Sequence, residues 1–107
     1  MDNNMFDLFK TPEAKREERL KKDIFVSNEA KQIYESELIK SFFKDLYENI
    51  QDKTFNSTDE DKEGRERLYL FRKVVKAFEQ MFLDTMQTGT MSGELLEKLH
   101  KGAFRNL

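Results

Sequence analysis

No cysteine occurs in the 107 residues, which excludes disulfides and thiolate metal sites and suits a reducing compartment. Tryptophan is also missing, proline occurs once and glycine four times, so the chain has few breakers and room for long helices with few turns. No apolar run approaches the roughly 20 residues that cross a bilayer. Acidic Asp2 stands where a secretory leader carries basic residues, so the expected place is the cytoplasm, with no membrane partner. His100 is the only histidine, with no second histidine and no cysteine to make a metal site; it reads as a surface residue near a helix C-terminus. No glycine-rich phosphate loop, HExxH motif or internal repeat is present. A net charge of −2 spread over mixed signs gives no global attraction to nucleic acid or anionic lipid. The expectation is therefore a protein with no catalytic residues, no cofactor and no metal.

What the chain does have is charge and phenylalanine. Charged residues make up 37% and the mean hydropathy is −0.82, so apolar side chains must be gathered on narrow faces. Ten phenylalanines carry most of the available core volume. Length alone gives one domain, with roughly 65% of the unfolded surface buried on folding. The most regular stretch runs from Arg65 to Thr88, where Leu68, Phe71, Val75, Phe78, Phe82 and Met86 recur at three- and four-residue steps and Val74 and Met81 widen the stripe. This spacing predicts a core helix.

From the N-terminus, Met5, Phe6, Leu8 and Phe9 form a short apolar group, a docking segment or a tucked end. Thr11-Pro12 starts a helix, with Thr as cap and Pro at the first position. Its acids come early (Glu13, Glu17, Glu18) and its bases late (Arg19, Lys21, Lys22), which suits the helix dipole. With only Ala14 and Leu20 apolar before Ile24, it reads as a solvated arm. Lys15, Arg16, Arg19, Lys21 and Lys22 offer a basic arm for nucleic acid, but the interleaved acids argue against that use. The expected division is thus a docking segment and charged arm over residues 1–26, and a core over 27–107.

Ser27 reads as the cap of a second long helix reaching to about Phe55, with Tyr34, Leu38, Ile39, Phe42, Phe43, Leu46, Tyr47 and Ile50 along its apolar arc. That arc covers close to half the circumference, so the helix should meet two partners, within the chain or from a second copy. Ser57 and Glu60 stand at capping-box spacing, placing the next helix start near Thr58 or Asp59. The acids Asp59, Glu60, Asp61 and Glu63 lack the EF-hand order and read as the acidic first turn of that helix. Gly64 there hints at close packing. Gly89 is a natural stop, followed by a short helix carrying Leu95, Leu96 and Leu99 and ending at Gly102. The expected fold is all-α: two long antiparallel helices forming a hairpin, a short C-terminal helix, and a charged N-terminal helical arm.

Two resemblances bear on function. MFDLF resembles the short peptide with which bacterial replication proteins bind the sliding clamp: Asp7, Leu8 and Phe9 match, whereas Met5 and Phe6 depart from the usual Gln and Leu. It implies a protein partner held by Phe6, Leu8 and Phe9, with Asp7 setting orientation. ERLYLFRKV, followed by a long helix, Gly89 and a Leu-bearing turn, resembles small helical proteins without an assigned activity encoded among the virion structural genes of tailed phages. Arg65, Glu66, Leu68, Tyr69, Gly89 and Leu95 carry the match over roughly residues 28–99. That resemblance implies a phage or prophage origin, a bacterial host and an assembly setting in or beside the virion. The function expected is a non-enzymatic helical protein-protein interaction module, self-associating through a core and oligomer face of Leu38, Phe42, Phe43, Leu46, Leu68, Phe71, Val75, Phe78 and Phe82. The alternative is a small regulator that binds host replication machinery or nucleic acid.

Overall fold

The structure, a computed structural model, describes residues 10–105, and the side chains of residues 10–102. Three helices account for almost all of it: α1 (Pro12–Tyr34), α2 (Glu37–Phe55) and α3 (Lys62–Arg105), with no strand among the described residues. The fold is all-α. No helix among the described residues is long and apolar enough to cross a membrane.

Local chemistry sets each boundary. The Ala14 amide donates to Thr11 Oγ1 at 3.1 Å, satisfying one of the free N–H groups ahead of Pro12. α1 then runs past Ser27, which lies buried inside it and is not the cap expected there. The break falls at Ser36, whose backbone is extended (φ −64°, ψ 146°) and whose hydroxyl accepts from the Ile39 amide at 3.3 Å while donating to Ile33 O at 2.6 Å. A serine that bonds both flanking backbones offers them an alternative to continuing the helix, so one residue ends α1 and starts α2 without Gly or Pro.

α3 starts at Lys62, later than the Ser57–Glu60 pair suggests. The Ser57 hydroxyl is used at the end of α2, donating to Thr54 O at 2.6 Å, and Asp61 takes the capping role by accepting from the Gly64 amide at 3.1 Å. Gly64 is indeed closely packed, against that same Asp61 carboxylate. At the far end the expected stop at Gly89 and separate short helix are both replaced by one continuous 44-residue helix. A glycine ends a helix by adopting positive φ, and no described glycine does so.

The chain divides into two compact units, Met1–Ala30 with Thr85–Leu107 and Lys31–Asp84. In the first, Leu20 and Ser27 of α1 and Gly89 and Ser92 of α3 are buried. The charged segment expected as a solvated arm is thus packed structure in its own unit. It needs little apolar area because the residues facing it are small. A Cβ added at Gly89 would lie 2.0 Å from Ser27 Cβ, so only glycine allows the backbones this close. The hydroxyls buried there are satisfied: Ser27 Oγ donates to Met86 O at 3.2 Å and Ser92 Oγ to Asp23 Oδ2 at 2.9 Å.

The second unit is built from large side chains. Phe43, Ile50 and Val75 are buried, with Tyr34, Ile39, Tyr47 and Phe82 packed around them. Ring centroids of Phe43 lie 5.9 Å from Phe78 and 6.4 Å from Phe82, the latter edge-on, and Tyr34 stands 5.7 Å from Phe82. These spacings fall in the range where tilted and edge-to-face aromatic pairs are favourable.

Candidate interaction surface

The Lys31–Asp84 unit leaves large apolar side chains uncovered on both α2 and α3. On α2, Leu38, Phe42 and Leu46 recur at four-residue steps and are exposed, each immediately before a residue that turns inward (Ile39, Phe43, Tyr47). On α3, Phe71, Val74, Phe78 and Met81 alternate steps of three and four and are exposed too, with Val74 at 64% and Phe78 at 53%. Among the described residues sixteen large hydrophobics are exposed against four that are buried, an imbalance a small monomer rarely carries.

Of the residues expected to form the core or oligomer face, Phe43 and Val75 are buried and Leu68 and Phe82 half-buried, while Leu38, Phe42, Leu46, Phe71 and Phe78 are exposed. The sequence stripe therefore splits in two: an inner edge that is buried or half-buried and an outer edge that stays exposed, although the Phe78 ring on that outer edge still reaches Phe43. Phe6, Asp7, Leu8 and Phe9 lie outside the described residues.

Glu79 holds the inner edge in place. It occupies an inward position on α3, between Val75 and Phe82, and accepts hydrogen bonds from both Tyr34 Oη (3.2 Å) and Tyr47 Oη (3.0 Å). Each oxygen of the carboxylate takes one phenol, which fixes two aromatic rings from two helices against one helix turn. Burial pushes both tyrosine hydroxyls above their ordinary value, and the hydrogen bond to Glu79 adds to the shift. A carboxylate in an apolar stripe, with a tyrosine on each of the two preceding helices, is the sequence signal that could have found this clamp.

Elsewhere on the same unit a groove is lined by Tyr47, Ile50, Leu68, Tyr69, Arg65 and Arg72. Arg65 spends its guanidinium on the connecting loop, donating to the carbonyls of Thr58 and Asp59. Lys73 Nζ sits 4.7 Å from the Tyr69 ring centre, a cation-π contact that covers part of that exposed ring.

In the other unit, Lys15, Arg16, Arg19, Lys21 and Lys22 are all exposed. Glu17 lies among them, pairing with Lys21 at 3.4 Å and with His100 Nε2 at 3.1 Å. The His100 contact is the first cause, and Lys21 the second, of a Glu17 carboxyl held below its ordinary value. Nothing in the local sequence around His100 announces a partner 83 positions away. No group of three or more metal-ligating side chains gathers among the described residues. Compared with protein-family models, with curated proteins and with solved structures, the chain matches none.

Proposed function

We propose that the chain is a non-enzymatic helical protein-protein interaction module that self-associates and serves as an accessory or structural protein of phage particle assembly. The observation that supports it is the uncovered apolar surface of the Lys31–Asp84 unit. Apolar surface of this extent gains free energy only by being covered, at about 25 cal/mol per Å². The assembly setting rests on the resemblance carried by Arg65, Glu66, Leu68, Tyr69, Gly89 and Leu95, and a cytoplasmic host location goes with it.

The proposal includes the helical hairpin, with helices paired in opposite directions inside each unit. The order of contacts supports this. In one unit Glu17 meets His100, Asp23 meets Ser92 and Ser27 meets Met86, the numbers rising on α1 as they fall on α3. In the other, Phe43 meets Phe82, Tyr47 meets Glu79, and Ile50 joins the cluster around Val75. The knobs on α3 then repeat in the manner of a coiled-coil seam.

Light scattering on the purified protein at tens of micromolar tests the reading. A mass above that of the single chain is expected; a monomeric mass with no bound hydrophobic dye counts against it. Genes for portal, capsid or terminase beside the coding sequence support the assembly setting, and early regulatory genes there oppose it.

A further inference from the structure

This set of uncovered side chains is too ordered to be a general sticky surface. On α3 the exposed positions Phe71, Val74 and Phe78 follow steps of three and four, the spacing with which one helix seats knobs into another. Their inward neighbours Val75 and Phe82 are taken up within the unit. At about 100° per residue, Phe71, Val74 and Phe78 lie to one side of the inward direction set by Val75 and Phe82. On α2, Phe42 and Leu46 lie to the same rotational side of Phe43 and Ile50, with Leu38 farther round. For two helices that run in opposite directions, the same rotation on each points to the same side of the pair. The six side chains therefore make one surface, α3 supplying its ridge and α2 its shoulder.

We propose that this surface binds the same surface of a second copy about a two-fold axis, with the two α3 ridges running in opposite directions and crossing between Val74 and Phe78. This deepens the interaction-module reading and rests on it. Three observations select the occupant. The first is area: six side chains left roughly half uncovered offer on the order of 600 Å² per copy, close to the ~800 Å² per partner of a stable interface once flanking stems are added. The second is self-complementarity of size, since opposed ridges centred there set Phe71 against Met81 and Val74 against Phe78, a larger knob against a smaller one each time. The third is charge. Arg67 lies one turn before Phe71 on the same ridge and is exposed. Opposed ridges keep the two Arg67 side chains at opposite ends of the interface, whereas ridges running the same way stack Arg67 on Arg67. Within its own chain Arg67 makes only a solvated 3.6 Å pair with Glu63, too weak to offset that repulsion.

The absence of cysteine makes the geometry directly readable by introduced thiols. Val74→Glu should bring the mass down to that of the single chain with the helical signal unchanged, because the side chain is exposed within the unit. Tyr69→Glu, outside this surface, should leave the mass as it was. Mild oxidation of a mixture of Phe71→Cys and Met81→Cys chains should give predominantly the mixed disulfide dimer. If the wild-type protein associates but Tyr69→Glu dissociates it and Val74→Glu does not, the surface is wrong while the interaction-module reading stands. If Phe71→Cys alone crosslinks to itself as fast as the mixture does, the ridges run the same way and the two-fold arrangement is overturned. A wild-type protein that is monomeric at every concentration removes the proposal and the self-association beneath it together.

Discussion

The two units hold their helices by opposite means. Lys31–Asp84 uses volume: interlocking rings around Phe43, Ile50 and Val75, with a carboxylate tying down two phenols. The unit of α1 and the C-terminal part of α3 uses the lack of volume: Gly89 against Ser27, flanked by hydroxyl hydrogen bonds. The first kind of contact gains from apolar area and can repack when a ring shifts. The second gains from closeness and hydrogen-bond satisfaction, and fails when one methyl group is added. A sequence can therefore be poor in apolar residues, as residues 12–23 are, and still be packed.

The largest effect should come from emptying the aromatic core. Phe43→Ala is expected to cost about 4 kcal/mol, within the range for truncating a buried aromatic. Phe78→Ala, at a ring that is 53% exposed, should cost less than half as much in the single chain. Thermal melts of the pair separate the inner edge of the stripe from the outer; equal losses would mean that Phe78 is covered in solution.

Next in size is Gly89→Ala, which must push α1 and α3 apart to relieve a 2.0 Å contact and should lose about 2–3 kcal/mol despite alanine's better helix propensity. Adding Ser27→Gly to that variant removes the colliding Cβ and should recover part of the loss. A double variant no better than Gly89→Ala alone would show that the two residues do not meet.

A smaller change is expected at the tyrosine clamp. Glu79→Gln keeps the shape and weakens two charge-assisted hydrogen bonds, at a cost of about 1–2 kcal/mol. The pH dependence has a definite sign. Both phenols are held above their ordinary value of 10.0, so the folded state favours the protonated form. Their contribution is fully present below pH 10 and is lost as pH rises from there through the folded values. Tyr34→Phe and Tyr47→Phe should flatten the alkaline limb of a stability-against-pH curve; an unchanged limb would place the alkaline sensitivity elsewhere.

The smallest effect belongs to Glu17 and His100, both exposed. The lowered carboxyl of Glu17 contributes above its ordinary pKa, and that contribution disappears as pH falls through the folded value. His100→Ala should therefore make the acid limb slightly less steep and leave the neutral melt almost unmoved. A large loss at neutral pH would reveal a role for His100 beyond this solvated pair.

How much of this was legible beforehand follows from the kind of contact. The all-α class, the start at Pro12 and the inner edge Phe43, Ile50, Val75 and Phe82 come from periodicity and capping, which are local. The helices run on through Ser27 and Gly89 because each of these residues can serve two ends. Ser27 has the composition of a cap but is used as a small buried residue, and Gly89 has that of a stop but is used for approach. Which use applies depends on a segment some sixty residues away, which no window can see. The division of the Phe71–Phe82 stripe into packed and uncovered sides was hidden for the same reason, since periodicity reports that a face is apolar but not how much of it a neighbour covers.

The Gly89–Ser27 approach also acts as an index notch along the axis. Sliding α3 by one turn would put either Thr85 or Gly93 opposite Ser27. Thr85 brings a branched side chain to a place that rejects a single methyl. Gly93 fits there, but the same slide moves Leu96 into the seat of Ser92 beside Asp23, leaving that carboxylate without its hydroxyl donor. Along the apolar stripe of α3 the large side chains recur at three- and four-residue steps, so a slide of one turn there still sets apolar against apolar. The notch admits a single alignment, so the least apolar part of the chain is the part that measures its length.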